Sequence, residues 1–73
     1  MSLEIGKILK GLREEKGLSI LQLSYAAKIS ANYIHRIEQQ NKNVSIKTLY
    51  KLSTALGVHI TDLLPPKTKE EAA

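Results

Sequence analysis

Apolar positions along this chain recur at helical spacing in five successive segments, each bounded by polar or glycine punctuation. Ile5, Ile8, Leu9 and Leu12 fall at i, i+3, i+4 and i+7, with Ser2 as an N-cap and Gly17 as a stop, which predicts a first helix over 3–16. Gly6 and Gly11 inside it each cost about 1 kcal/mol relative to Ala, so either this helix is weak or a neighbour packs close against it. In the stretch LSILQL that follows, Ser19 can cap, Gln22 can reach back to it, and Leu18 and Leu23 take the positions of a hydrophobic staple. Ile20, Leu23 and Ala27 mark the buried side of this second helix. Ser30 caps a third, whose inner face is Ile34 and Ile37 and which fades near Gln40, where QQNKN offers nothing to bury. Ser45 caps a fourth, with Ile46, Leu49, Leu52 and Leu56 expected to face inward and Gly57 to end it. A short fifth helix over 60–64 stops at Pro65 and Pro66. No strand pattern or repeat competes, so the expected fold is all-α: a compact five-helix domain over 1–64, followed by a tail over 65–73 with nothing to bury.

Only Lys28 and Ile29 stand between the second helix and the Ser30 cap of the third. Two short helices joined this tightly can both bury their inner faces only by crossing steeply, which leaves the second of the pair protruding with one side in solvent. That side carries Asn32, His35 and Arg36, a width and chemistry suited to the major groove of DNA. Arginine can grip guanine through O6 and N7, and asparagine can grip adenine through N6 and N7. Ala31 is small enough to let the backbone approach, and its methyl can meet a thymine methyl. The helix N-terminus adds partial positive charge that favours a nearby phosphate.

Composition narrows the picture. A chain of 73 residues buries only about 60% of the surface its unfolded form exposes. With no cysteine, neither disulfides nor a cysteine zinc site can stiffen it, so packing carries the fold. The net charge of +4 is unevenly spread. Residues 1–18 sum to +1, residues 19–53 to +4, with Lys28, Arg36, Lys42, Lys47 and Lys51 against Glu38 alone, and residues 54–73 to −1. The cationic excess therefore surrounds the proposed reading helix, as a polyanion partner requires. There is no signal peptide and no long apolar run, so a soluble, cytoplasmic protein without membrane contact is expected.

The run LSILQLSYAAKISANYIHRIEQQNKNVSIKTLYKLSTALGVHITDLL resembles the Cro/cI-type, or Xre-like, helix-turn-helix family of phage repressors, restriction-modification controllers and biofilm regulators. The resemblance rests on LS at 18–19, the spacing of Leu23, Ala27, Ile29, Ile34 and Ile37, YIHRIE at 33–38, S-I-x-T-L at 45–49 and ALGV at 55–58. It implies a lambda-repressor-like DNA-binding domain of bacterial or phage origin. Ser30, Ala31, Asn32, His35 and Arg36 match positions from which this family reads bases or the adjoining backbone. Ser19, Gln22, Tyr33, Lys42, Asn43, Ser45 and Lys47 match positions that touch phosphates. Arg13 and Glu38 match a salt bridge tying the first helix to the third, a structural role. Three positions depart from the family pattern: Lys28 stands where Gly is common, Ser24 replaces a usual Ala at the helix crossing, and Ile20 replaces a Gln that often contacts DNA.

The expected function is a sequence-specific, double-stranded DNA-binding transcriptional regulator, a repressor by family likeness. It is expected to act as a homodimer, because one helix reads only a few base pairs and two half-sites about 34 Å apart double the readout. Val58, Ile60, Leu63 and Leu64 are the expected dimer interface. No small-molecule effector and no cofactor is expected. An alternative is a protein-interaction or antitoxin-like module, which an exposed apolar patch would favour. Paired carboxylates, a nucleophile with its base, a phosphate-binding glycine loop and a metal cluster are all missing from the sequence, which argues against an enzyme. His35 reads equally as a base contact or an ordinary exposed histidine, and Tyr33 as a phosphate donor, a packed ring, or both. Tyr25 and Tyr50 are assigned to packing. His59 is assigned to capping the fifth helix, since a lone histidine is not a metal site.

Overall fold

The computed structural model describes residues 5–40 and 44–64. Helix α1 spans Ile5–Glu15, α2 Ile20–Ala27, α3 Ala31–Gln40 and α4 Ile46–Leu56, and a 3-10 turn follows at Ile60–Leu63. The expected Ser2 cap and the tail over 65–73 lie outside the described residues.

Local chemistry sets the helix ends. Ser19 and Gln22 form a reciprocal box: the Gln22 N–H donates to Ser19 Oγ at 3.0 Å and the Ser19 N–H to Gln22 Oε1 at 2.8 Å. Ser30 Oγ accepts from the Tyr33 N–H at 3.0 Å, and Ser45 Oγ from the Thr48 N–H at 3.2 Å. At their C-termini α1, α2 and α4 close through left-handed residues, namely Gly17 (φ 72°), Lys28 (φ 59°) and Gly57 (φ 72°). After α1 the Leu18 N–H reaches back to the Arg13 carbonyl at 3.1 Å, and after α4 the Val58 N–H reaches the Ser53 carbonyl at 3.0 Å.

Lys28 is the one non-glycine residue with positive φ among the described residues. A side chain there strains the backbone by about 1–2 kcal/mol, part of which glycine would give back through its freer unfolded state. Lys28→Gly should therefore stabilise the domain by about 0.5–1 kcal/mol, raising the melting temperature by roughly 4 °C. A thermal melt showing no gain would mean that the lysine side chain is itself contributing stability.

The core is built from Ile5 and Leu9 of α1, Leu23 and Ala27 of α2, Ile34 and Ile37 of α3, Leu49, Leu52 and Leu56 of α4, and Leu63. Helix α3 packs on α1 and α2, α2 also on α4, and the 3-10 turn on α4 and α1. Ser24 and Ser53 are buried at this level, and each hydroxyl is satisfied within its own helix, by the Leu21 carbonyl at 2.6 Å and the Tyr50 carbonyl at 3.0 Å. Of the two α1 glycines, Gly6 is buried, whereas a Cβ added at Gly11 would meet open space.

Several expectations are overturned. Ile46 is 64% exposed instead of facing inward. The buried stripe of α4 runs through Leu49, Leu52, Ser53 and Leu56, and at 100° per residue Ile46 falls about 70° off its centre, toward Tyr50. Tyr25 and Tyr50 are not packing residues but stand 73% and 59% exposed. The fifth element is a 3-10 turn of four residues, because too little chain separates Gly57 from Pro65 for an α-helix, and the proline holds Leu64 extended (ψ 146°). His59 occupies the cap position of this turn, yet the side chain that closes it is Asp62, whose Oδ2 accepts from the His59 N–H at 3.1 Å. Leu63 is fully buried in the chain's own core, so it anchors this turn and cannot face a second copy.

Candidate nucleic-acid interface

Helix α3 is two-sided. Ile34 and Ile37 are fully buried, while Asn32, His35, Arg36 and Gln39 are exposed on the opposite side. The side chains of Asn32, His35 and Arg36 make no hydrogen bond or ion pair among the described residues, so their donors and acceptors remain open to a partner. Ala31 is half-buried at the start of the ridge, and Ser30 caps it. Gln39 is absent from the sequence-based set. It continues the ridge one turn past His35 and Arg36, and the same i+4 and i+3 arithmetic would have found it.

The capping geometry also settles which atoms stay free around the ridge. Ser19 Oγ and Gln22 Oε1 are used as acceptors inside their box, so the Ser19 hydroxyl proton and the Gln22 amide NH2 remain as outward donors. Phosphate oxygens take donors only. Ser45 Oγ is more fully engaged, accepting from the Thr48 N–H and pairing with Thr48 Oγ1 at 3.1 Å. Lys47 is exposed on the first turn of α4. Tyr33 is half-buried, its ring packed against the core. Lys42 and Asn43 lie outside the described residues.

The rotation of α3 is fixed from behind. Arg13 continues the buried stripe of α1 past Leu9, and its guanidinium meets Glu38 on α3 in a fork. Arg13 Nε donates to Glu38 Oε2 at 2.7 Å and Nη2 to Oε1 at 3.1 Å, while Nη1 donates to the Leu18 carbonyl at 2.8 Å. The Glu38 side chain is 1% exposed and that of Arg13 10%. The hydrogen bond to Glu38 holds the Arg13 pKa above its ordinary value, against the opposing effect of burial, so the pair stays charged on its arginine side. One side chain thereby ties α1, the loop before the Ser19 cap, and α3.

Of the expected interface set, Val58, Ile60 and Leu64 are half-buried and keep apolar surface in solvent, whereas Leu63 does not. No helix among the described residues is long and apolar enough to cross a membrane.

Comparison with known proteins agrees with this geometry. A family described as helix-turn-helix matches residues 9–63. The immunity repressor protein of Bacillus phage phi105 is 34% identical over 71 residues, covering 94% of this chain and 49% of the repressor. The restriction-modification controller protein C.AhdI of Aeromonas hydrophila superposes with a TM-score of 0.78 at 33% identity, covering 82% of this chain and 91% of that one. SinR, a master regulator for biofilm formation whose structure is known in complex with DNA, superposes with a TM-score of 0.77 at 37% identity, over 81% and 95% of the two chains. The chain spans about half the length of the first curated relatives it matches.

Proposed function

From the premise that the chain belongs to the Cro/cI-type helix-turn-helix family, we propose that it is a cytoplasmic transcriptional regulator that binds double-stranded DNA, acting as a repressor. Helix α3 enters the major groove, with Asn32, His35 and Arg36 facing base edges and Ser30 and Ala31 bringing the backbone close. Ser19, Gln22, Tyr33, Lys42, Asn43, Ser45 and Lys47 hold the flanking phosphates. Two copies, meeting through Val58, Ile60 and Leu64, span a two-fold site. The DNA-binding unit is residues 1–64.

The observation that carries this reading is the α3 ridge, polar, exposed and without partners among the described residues, above a core that leaves it nothing structural to do. Similar domains are known in complex with DNA, as SinR is, which supports DNA as the partner. Selection of bound sequences from a random duplex pool, followed by salt titration, should return a two-fold symmetric site. Arg36→Ala should then cost about 1–3 kcal/mol on that site and relax preference at one base pair. Lys47→Ala should weaken all duplexes alike and lower the salt slope by about one. A chain that retained no duplex at low ionic strength would end the proposal.

A further inference from the structure

The outer face of α4 carries two parallel rows, of which the DNA reading uses Lys47 alone. Ile46 and Tyr50, at i and i+4, form an apolar row, 64% and 59% exposed. Beside it Lys47 and Lys51, at the same spacing, form an exposed cationic row. The apolar row continues to Thr54, where it meets an open groove of about 320 Å³ against the end of α2. Ala26, Ala27 and Tyr50 give this groove its apolar lining, and Lys28 and Lys51 bring two ammonium groups to it. Neither lysine is paired with a carboxylate among the described residues. Lys28 holds its place at a left-handed position that glycine would fill with less strain.

We propose that the groove between the end of α2 and the middle of α4 receives an acidic amphipathic helix of a partner protein. Charge complementarity selects the acid: two unpaired lysines flank the groove, with no carboxylate lining it. The apolar row selects an amphipathic segment over a bare polyanion, because a phosphate backbone offers charge without an apolar surface to cover Ile46 and Tyr50. An i, i+4 register on the partner, with glutamates in one row and leucines in the next, matches the spacing of both rows on α4. The site lies on a different helix from the α3 ridge.

The test uses the full chain, isotope-labelled for amide NMR, and a synthetic helical peptide with glutamate and leucine in adjacent i, i+4 rows. A scrambled peptide of the same composition serves as the control. Amide shifts should cluster at Ala26–Lys28 and Tyr50–Thr54, and the scrambled peptide should produce none. Tyr50→Ala should weaken the peptide about thirtyfold, as removal of a central aromatic anchor does. Lys51→Ala and Lys28→Gly should each weaken it about fivefold. Lys28→Gly suits this purpose because it relieves backbone strain, so its loss of binding cannot come from unfolding. Equal binding of the scrambled peptide would overturn the proposal, as would shifts confined to Asn32–Gln39. A Lys51→Ala variant that lost duplex DNA affinity but bound the peptide normally would reassign the groove to the phosphate backbone.

Discussion

Glu38→Ala should bring the domain close to unfolding at room temperature. The substitution leaves the Arg13 guanidinium, whose side chain is 10% exposed, without its two carboxylate bonds and unable to shed its charge. Removing one partner of a buried pair costs about 3–5 kcal/mol, and Arg13 keeps only the Leu18 carbonyl at 2.8 Å and a 4.0 Å approach to the exposed Glu14, neither of which replaces the fork. A chain of this length has a total stability of roughly 4–11 kcal/mol, so the loss removes about a quarter of it or more. Urea denaturation with the wild-type protein alongside reads the difference directly. The companion double variant Arg13→Met with Glu38→Leu should recover most of the lost stability, since apolar residues of similar volume need no compensation. A midpoint for Glu38→Ala near the wild-type value would mean that water reaches the fork and the pair is dispensable.

Leu63→Asp should abolish the fold altogether. Leu63 belongs to the dimer interface expected from the sequence, but the residue is fully buried between the 3-10 turn and the core. Truncation to alanine alone should cost about 2–5 kcal/mol, and a carboxylate adds the cost of desolvating its charge. Far-ultraviolet circular dichroism should show the helical signal of Leu63→Asp lost and that of Leu63→Ala retained with a lower melting temperature. A folded, monomeric Leu63→Asp protein would restore the interface assignment. Dimerisation is better probed at Ile60, which is only half-buried in the monomer.

The sequence disclosed most where the determining chemistry is local. The Ser19 and Gln22 box, the Ser30 and Ser45 caps and the glycine stops at 17 and 57 lie within a few residues of what they control, so their pattern is readable without a partner. Exposure of Asn32, His35 and Arg36 was equally legible, because Ile34 and Ile37 fix which side of α3 turns inward. Residue type says less than register. Ile46, Tyr25 and Tyr50 look like core material by their apolar character, yet each stands off the buried stripe of its own helix, and that register leaves them uncovered. Leu63 errs the other way, since an apolar residue near the chain's end reads the same whether it fills its own core or a partner's. The ridge residue Gln39 was legible too, one turn past His35 and Arg36, but it sits where the helix fades and the apolar pattern that frames the ridge has ended.

Because Asn32, His35, Arg36 and Gln39 stand clear of the core, they can be rewritten without disturbing what holds the helix up. Preference for a binding sequence and durability of the scaffold are therefore separately heritable in this chain. A library randomised at those four positions should remain overwhelmingly folded, giving a lineage room to drift toward new targets by single steps.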